Sequence, residues 1–174
     1  MKKLILWLGL SMAVLACSQP QKPAEEVPTK SDEAKVQYEK NLAALKASLT
    51  AFENEQIDEW AESVADNAVW HPAAYGAPIG TKEDWKKTLT YYVTEWDSIR
   101  LTNAMFLPGI DSVSHEPDGS VRYYGTWVSR HKSGMNTSVR FYAAYEFDDN
   151  HKILFAQDFF DVGGLLNAVA PKKK

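Results

Sequence analysis

Apolar residues recur along this chain with two periods, and the switch between them divides it. Tyr38, Leu42, Leu45, Leu49 and Phe52 follow one another at spacings of four, three, four and three, which sets them on one face of a helix. Lys40, Lys46 and Glu53 fall on the other face, and the helix is predicted to begin between Ser31 and Glu33. Ile57, Trp60 and Val64 mark a second, short helix over 57–65, followed by a short strand over 67–71. Residues 72–80 hold two prolines and two glycines and read as a loop. Thr81 is the expected N-cap of a third helix, with Asp84 three residues on. Trp85, Leu89, Tyr92 and Val93 supply that helix's apolar face.

Beyond it the period shortens to two. Residues 99–107, 121–131, 138–147 and 153–160 read as strands, with turn signals at Pro117-Asp118-Gly119 and Asp148-Asp149-Asn150. The last two runs form an expected hairpin. Val139, Phe141, Ala143, Tyr145 and Phe147 alternate with Arg140 and Glu146 and form its expected buried set. Helices first and then a largely antiparallel sheet predict an α+β domain.

The beginning of the chain follows a different logic. Lys2 and Lys3 precede an apolar run over 4–16 that ends Val14-Leu15-Ala16-Cys17. A basic segment, a short apolar run and a small residue before the cleavage point make a secretory signal. The run is too short for a permanent span. Its ending resembles the lipobox of bacterial lipoproteins, which implies that Cys17 is acylated, carrying palmitate or a similar chain, and heads the mature protein. The alternative is an ordinary secretory signal with an incidental cysteine. Ser18 after the cysteine resembles lipoproteins sorted to an outer membrane, so the expected location is the cell envelope, lipid-anchored, facing the periplasm where an outer membrane exists. Residues 18–32 are polar and proline-bearing and predict a disordered tether. The expected divisions are a signal at 1–16, lipidated cysteine and tether at 17–33, one domain at 34–170 and a basic tail at 171–174.

Composition narrows the partners. Cys17 is the sole cysteine, so no intramolecular disulfide can form. Removing Lys2 and Lys3 from 19 basic residues leaves 17 against 23 acidic ones, a net charge of −6. Nucleic acid would need a basic face and is excluded as a partner. The terminal lysines 172–174 read as a solvated tail, with anionic headgroups as the other option. His71, His115, His131 and His151 are too scattered for a metal site. No phosphate-binding glycine loop or nucleophile elbow occurs, so no cofactor is expected.

Three stretches carry a further resemblance: residues 56–68 (Gln-Ile-Asp-Glu-Trp-Ala-Glu-Ser-Val-Ala-Asp-Asn-Ala), Pro78-Ile79-Gly80 before a capped helix, and Phe147-Asp-Asp-Asn-His-Lys-Ile153 with Gln157-Asp-Phe-Phe-Asp161. In this order they resemble the nuclear transport factor 2-like superfamily, which includes SnoaL-like proteins, ketosteroid isomerase and limonene epoxide hydrolase. The resemblance implies a cystatin-like cone, a curved sheet wrapped around N-terminal helices with a ligand site inside. Candidate interior rings are Trp60, Trp70, Trp85, Trp96, Trp127, Tyr75, Tyr123 and Tyr142; Trp70, Tyr75, Trp96, Trp127 and Tyr142 are the ligand-binding candidates.

His71, before Pro72, occupies the place of the isomerase's general base, while Asp158 matches the catalytic aspartate on the hydrolase's last strand. Both are therefore candidate catalytic residues expected to face the interior. The remaining constellations do not carry over: Ser48 stands where the isomerase has its tyrosine, and the run 139–146 holds no aspartate. The structural alternatives are a strand-end histidine bonded to backbone or solvent, and a carboxylate satisfied by Arg140 or a helix N-terminus. Three functions follow as expectations. The first is binding of a small, largely apolar molecule at the membrane surface. The second is a proton-transfer enzyme of isomerase, cyclase or hydrolase type. The third is an interaction domain that forms a homodimer through the sheet's outer face.

Overall fold

A computed structural model describes residues 29–171. Cys17, the signal, most of the tether and the terminal lysines lie outside the described residues. Helix α1 (Lys30–Glu53) leads through a short α2 (Ile57–Glu62) into strand β1 (Val64–His71) and a two-residue β2 (Gly80–Thr81). Helix α3 (Lys82–Glu95) follows, then the meander β3 (Trp96–Ile110), β4 (Pro117–His131), β5 (Asn136–Phe147) and β6 (Ile153–Phe159), and last α4 (Val162–Val169).

The six strands form one sheet in the order β2-β1-β6-β5-β4-β3. Every neighbouring pair is antiparallel except β1 with β6, which run parallel. Two register slips in β3, between Asp97 and Arg100 and between Thr102 and Met105, enclose Ser98 and Asn103, both left-handed with φ of 54° and 52°. Such bulges bend a strand and increase its twist, and here they curl the sheet over α1 and α3. Proline at 108 is tolerated because β3 is an edge strand. Diagonal to Leu101, Gly125 leaves room that a side chain would take: a Cβ there would sit 2.6 Å from Leu101 Cδ1.

Inside the curl lie Leu45, Trp60, Val64, Trp70, Trp85, Val121, Tyr123, Ala143, Tyr145, Ile153 and Ala156, all buried. The expected alternation on β5 holds: Ala143 and Tyr145 are buried, whereas Arg140 and Glu146 are exposed. Two polar residues on α1, Asn41 and Ser48, are also buried. Asn41 Nδ2 donates to the Gly119 carbonyl at 2.9 Å, and its Oδ1 meets His151 Nδ1 at 2.7 Å. This side chain ties α1 to the start of β4 and to the β5–β6 turn, satisfying groups that burial would otherwise penalise. Gly119 permits the approach, with φ of +79° and Gln37 Cβ at 3.0 Å from any added Cβ.

Several boundaries differ from the periodicity. Helix α1 opens at Lys30, earlier than predicted, because Thr29 and Asp32 form a reciprocal capping box. Thr81 and Asp84 form the same box at α3, as their spacing predicts. Strand β1 begins at Val64 rather than 67, since Val64 pairs with Ile153 across the parallel edge. Helix α4 has no counterpart in the sequence reading; Gly163 and Gly164 in its first turn lower helix propensity and obscure it. Among the described residues no helix is long and apolar enough to cross a membrane.

Candidate functional site

A cavity of about 650 Å³ opens between α3, α4, the 72–80 loop and the inner faces of β4, β5 and β6. Its wall is dominated by rings. Trp70 stacks on Trp85 at 5.8 Å between centroids, Trp85 faces Tyr145 at 6.2 Å, and Tyr145 stacks on Tyr123 at 6.1 Å. The series continues through Phe141 to Phe160 at 5.5 and 5.1 Å. Trp96, Trp127 and Tyr92 complete much of the remainder. Val162 and Leu165 of α4 and Ala73, Ala74 and Ala77 of the loop rim it.

Into this apolar wall the register of β1 and β6 brings one buried carboxyl. Trp70 pairs with Ala156, so its indole stands on the same face as Asp158 two residues on. Trp70 Nε1 donates to Asp158 Oδ2 at 2.8 Å, and Oδ1 has no hydrogen-bond partner among the described residues. Asp158 is 8 % exposed. Burial pushes its pKa up to about 7, partly offset by the Trp70 hydrogen bond. Burial likewise raises Tyr92 to about 12 and drives Tyr123 and Tyr145 further up, with the Asp158 charge adding to all three. These phenols are therefore neutral donors at physiological pH. Trp127 Nε1 donates to Tyr123 Oη at 3.1 Å. Trp96 Nε1 is buried without an acceptor among the described residues.

Charge on the wall is otherwise peripheral. Asp84 is exposed and engaged by Thr81, and Lys87, the one cationic side chain among the described residues lining the cavity, is exposed. The described residues hold no group of three His, Cys, Asp or Glu side chains able to bind a metal.

No protein-family model and no curated protein matches this chain. Solved structures do. A candidate isomerase from Bacillus subtilis superimposes with a TM-score of 0.64 at 17% identity, covering 76% of this chain and 94% of that one. A candidate polyketide cyclase from Xanthomonas campestris pv. campestris gives 0.62 at 10% identity, over 77% and 99%. A nuclear transport factor 2-like protein of unknown function from Burkholderia pseudomallei gives 0.61 at 14%, over 76% and 98%.

The fold is nuclear transport factor 2-like. Within this nuclear transport factor 2-like domain the candidate residues divide by sheet face. Trp70, Trp96, Trp127 and Asp158 line the cavity. His71 does not, and the expectation that it shares the interior with Asp158 is corrected. It follows Trp70 on one strand and therefore points to the opposite face, where it pairs with Gln157 and packs edge-on against Phe155 at 5.1 Å. Tyr142 is likewise on the outer face, between Tyr124 at 4.7 Å and Phe159 at 5.4 Å. Tyr75 is fully exposed on the 72–80 loop and outside the wall. Arg140 pairs with Thr126 and is exposed, so it cannot serve Asp158; the indole of Trp70 does. Tyr92 and Tyr145 join the site although the sequence marked them only as apolar-face residues. The signal was available in part, since Tyr145 alternates with the same buried set that pairs with β6.

Proposed function

We propose that this domain binds a small, largely apolar molecule in the cavity between sheet and helices, with Asp158 as its polar anchor. The carrying observation is the pairing of an aromatic wall with a single buried carboxyl that has one oxygen free of partners. Sites of this kind bury an apolar ligand and orient it with few polar groups. Native mass spectrometry of the purified protein tests the reading. A small molecule is expected to co-purify and to be lost from Val139→Trp, which fills the wall. An empty wild-type protein whose tryptophan emission no neutral apolar compound perturbs would overturn it.

A second reading is proton transfer. It is favoured by the closeness of the Asp158 pKa to neutrality, since such a carboxyl can accept and return a proton within one turnover. Asp158 would remove a proton beside a carbonyl, and the neutral phenols of Tyr123 or Tyr145 would donate to the developing oxyanion. The candidate isomerase and polyketide cyclase with this fold support an enzyme as well as a binder. Solvent deuterium incorporation into a panel of cyclic ketones, lost in Asp158→Asn, is the expected result. Incorporation at the buffer rate throughout would leave binding alone.

We further propose that the mature chain is anchored through an acylated Cys17 to an envelope membrane, a reading supported by residues 14–17 and the polar tether behind them. Cys17→Ala is expected to free the protein from membranes or block its processing. A homodimer is proposed on the outer face, where Met105, Tyr124, Tyr142 and Phe159 form a cross-strand ladder. Arg140 and Glu146 lie on that face of β5 at equal distances from Ala143. A two-fold axis there would set each against its opposite in a second copy. Sedimentation that gives a monomer at all concentrations would exclude it.

A further inference from the structure

From the cavity's composition we infer a ligand class: a lipophilic amine bound as its ammonium ion, the charged nitrogen against Asp158 and the rings of the wall around its alkyl groups. The inference rests on the cavity-binding reading and goes beyond it by naming the charge the site recognises.

Consider what faces Asp158 from each element packed around it. Strand β1 offers Trp70, a neutral donor that occupies Oδ2. Strands β4 and β5 offer Tyr123 and Tyr145, and α3 offers Tyr92, all neutral phenols. Among the described residues no lysine, arginine or histidine contributes to the carboxyl's environment, and Lys87 stands exposed at the rim. The site thus holds an anion-forming group with no resident counter-ion. A buried carboxylate without a counter-charge is costly, and the missing partner is a cation with at least one N–H to give to Oδ1. That hydrogen bond would be charge-assisted, the stronger kind.

The wall meets the same requirement. Trp and Tyr faces attract alkylammonium groups through the ring quadrupole, most strongly where water is excluded. A neutral hydrocarbon gains from burial alone and leaves Asp158 Oδ1 unsatisfied. A carboxylic acid ligand would oppose the carboxyl outright. Both the polar and the apolar parts of the cavity therefore favour an amine over its neutral isostere.

The sign of the pH dependence separates the cases. An ammonium ligand selects ionised Asp158, so its affinity rises with pH from about 5 to a plateau near 8. A neutral ligand selects the protonated acid or neither form, and its affinity falls or stays level over the same range.

The test is a titration of the purified protein, in an amine-free buffer at pH 8, with N,N-dimethylbenzylamine and isobutylbenzene, which share a shape and differ in charge. Tryptophan emission and the thermal midpoint report binding. The amine is expected to bind at least about tenfold more tightly, and Asp158→Asn is expected to abolish the preference. Trp70→Phe, which keeps the carboxyl and removes only its donor, is expected to retain it. Benzyltrimethylammonium, a cation without an N–H, should fall between the two. Equal affinities, or an amine preference that survives in a folded Asp158→Asn, would overturn the proposal while leaving neutral binding intact. If none of these compounds nor any neutral apolar compound binds, the cavity-binding reading falls with it.

Discussion

Both faces of the sheet carry rings and put them to opposite uses. On the inner face Tyr123, Tyr145, Trp70 and Phe141 stack against one another and against α3, around one carboxyl that water scarcely reaches. On the outer face Tyr124, Tyr142 and Phe159 stack just as closely, but Tyr124 and Phe159 are 46 % and 47 % exposed and arginines flank the ladder. A single step along the chain separates the two settings: Trp70 from His71, Asp158 from Phe159. Ring chemistry is the same on both sides, so exposure alone sets what each group contributes to stability and to acidity.

That contrast can be broken most severely from the inside. Trp85 touches Trp60, Trp70 and Tyr145 and is 4 % exposed. Trp85→Ala is expected to cost about 3–5 kcal/mol in urea unfolding, whereas Tyr142→Ala on the outer face should cost well under half as much. Equal losses would mean that the outer ladder is buried in solution against a partner.

Next comes the carboxyl. The folded state raises the Asp158 pKa from 3.8 to about 7, so the folded chain binds this proton more tightly than the unfolded one. Its contribution to stability is full below about pH 4 and is lost as pH rises toward 7. The difference in stability between wild type and Asp158→Asn is expected to shift across that window in favour of the variant, by on the order of 3 kcal/mol at ~1.4 kcal/mol per pH unit. Paired denaturation curves at pH 4, 5.5 and 8 measure it. A constant difference would place the carboxyl in contact with water.

A smaller effect sharpens the same point. Trp70→Phe keeps the stack and deletes the indole donor to Asp158, which should raise the carboxyl's pKa further and cost about 2 kcal/mol at pH 8. The loss should shrink at pH 5, where the acid is already protonated. Smallest of all, His71→Gln on the outer face is expected to alter stability by less than about 0.5 kcal/mol and ligand affinity by less than about twofold. A large loss of affinity there would restore His71 to the site.

By itself the sequence determined the order of the main elements from α1 to β6, though not β2 or α4, and much of the inner set. Two periods of hydrophobicity, the Thr81–Asp84 spacing and the alternation along β5 are local patterns, and local patterns follow from backbone geometry that every chain shares. It was the resemblance to a cone-shaped fold, rather than these patterns, that suggested Trp70, Trp96 and Trp127 as interior rings. Tertiary structure decided what local patterns leave open. Alternation says that Trp70 and His71 face opposite ways but not which of them faces in; the parallel pairing of β1 with β6 settles it, by matching Trp70 to Ala156. Alternation also groups Asp158 with Ala156 without revealing its partner, because an indole 88 residues earlier meets it only once the two strands lie side by side. The acidity of Asp158 arises at that same stage. A carboxyl's charge is penalised by the water that the whole surrounding assembly excludes, and no neighbour in the chain carries that information.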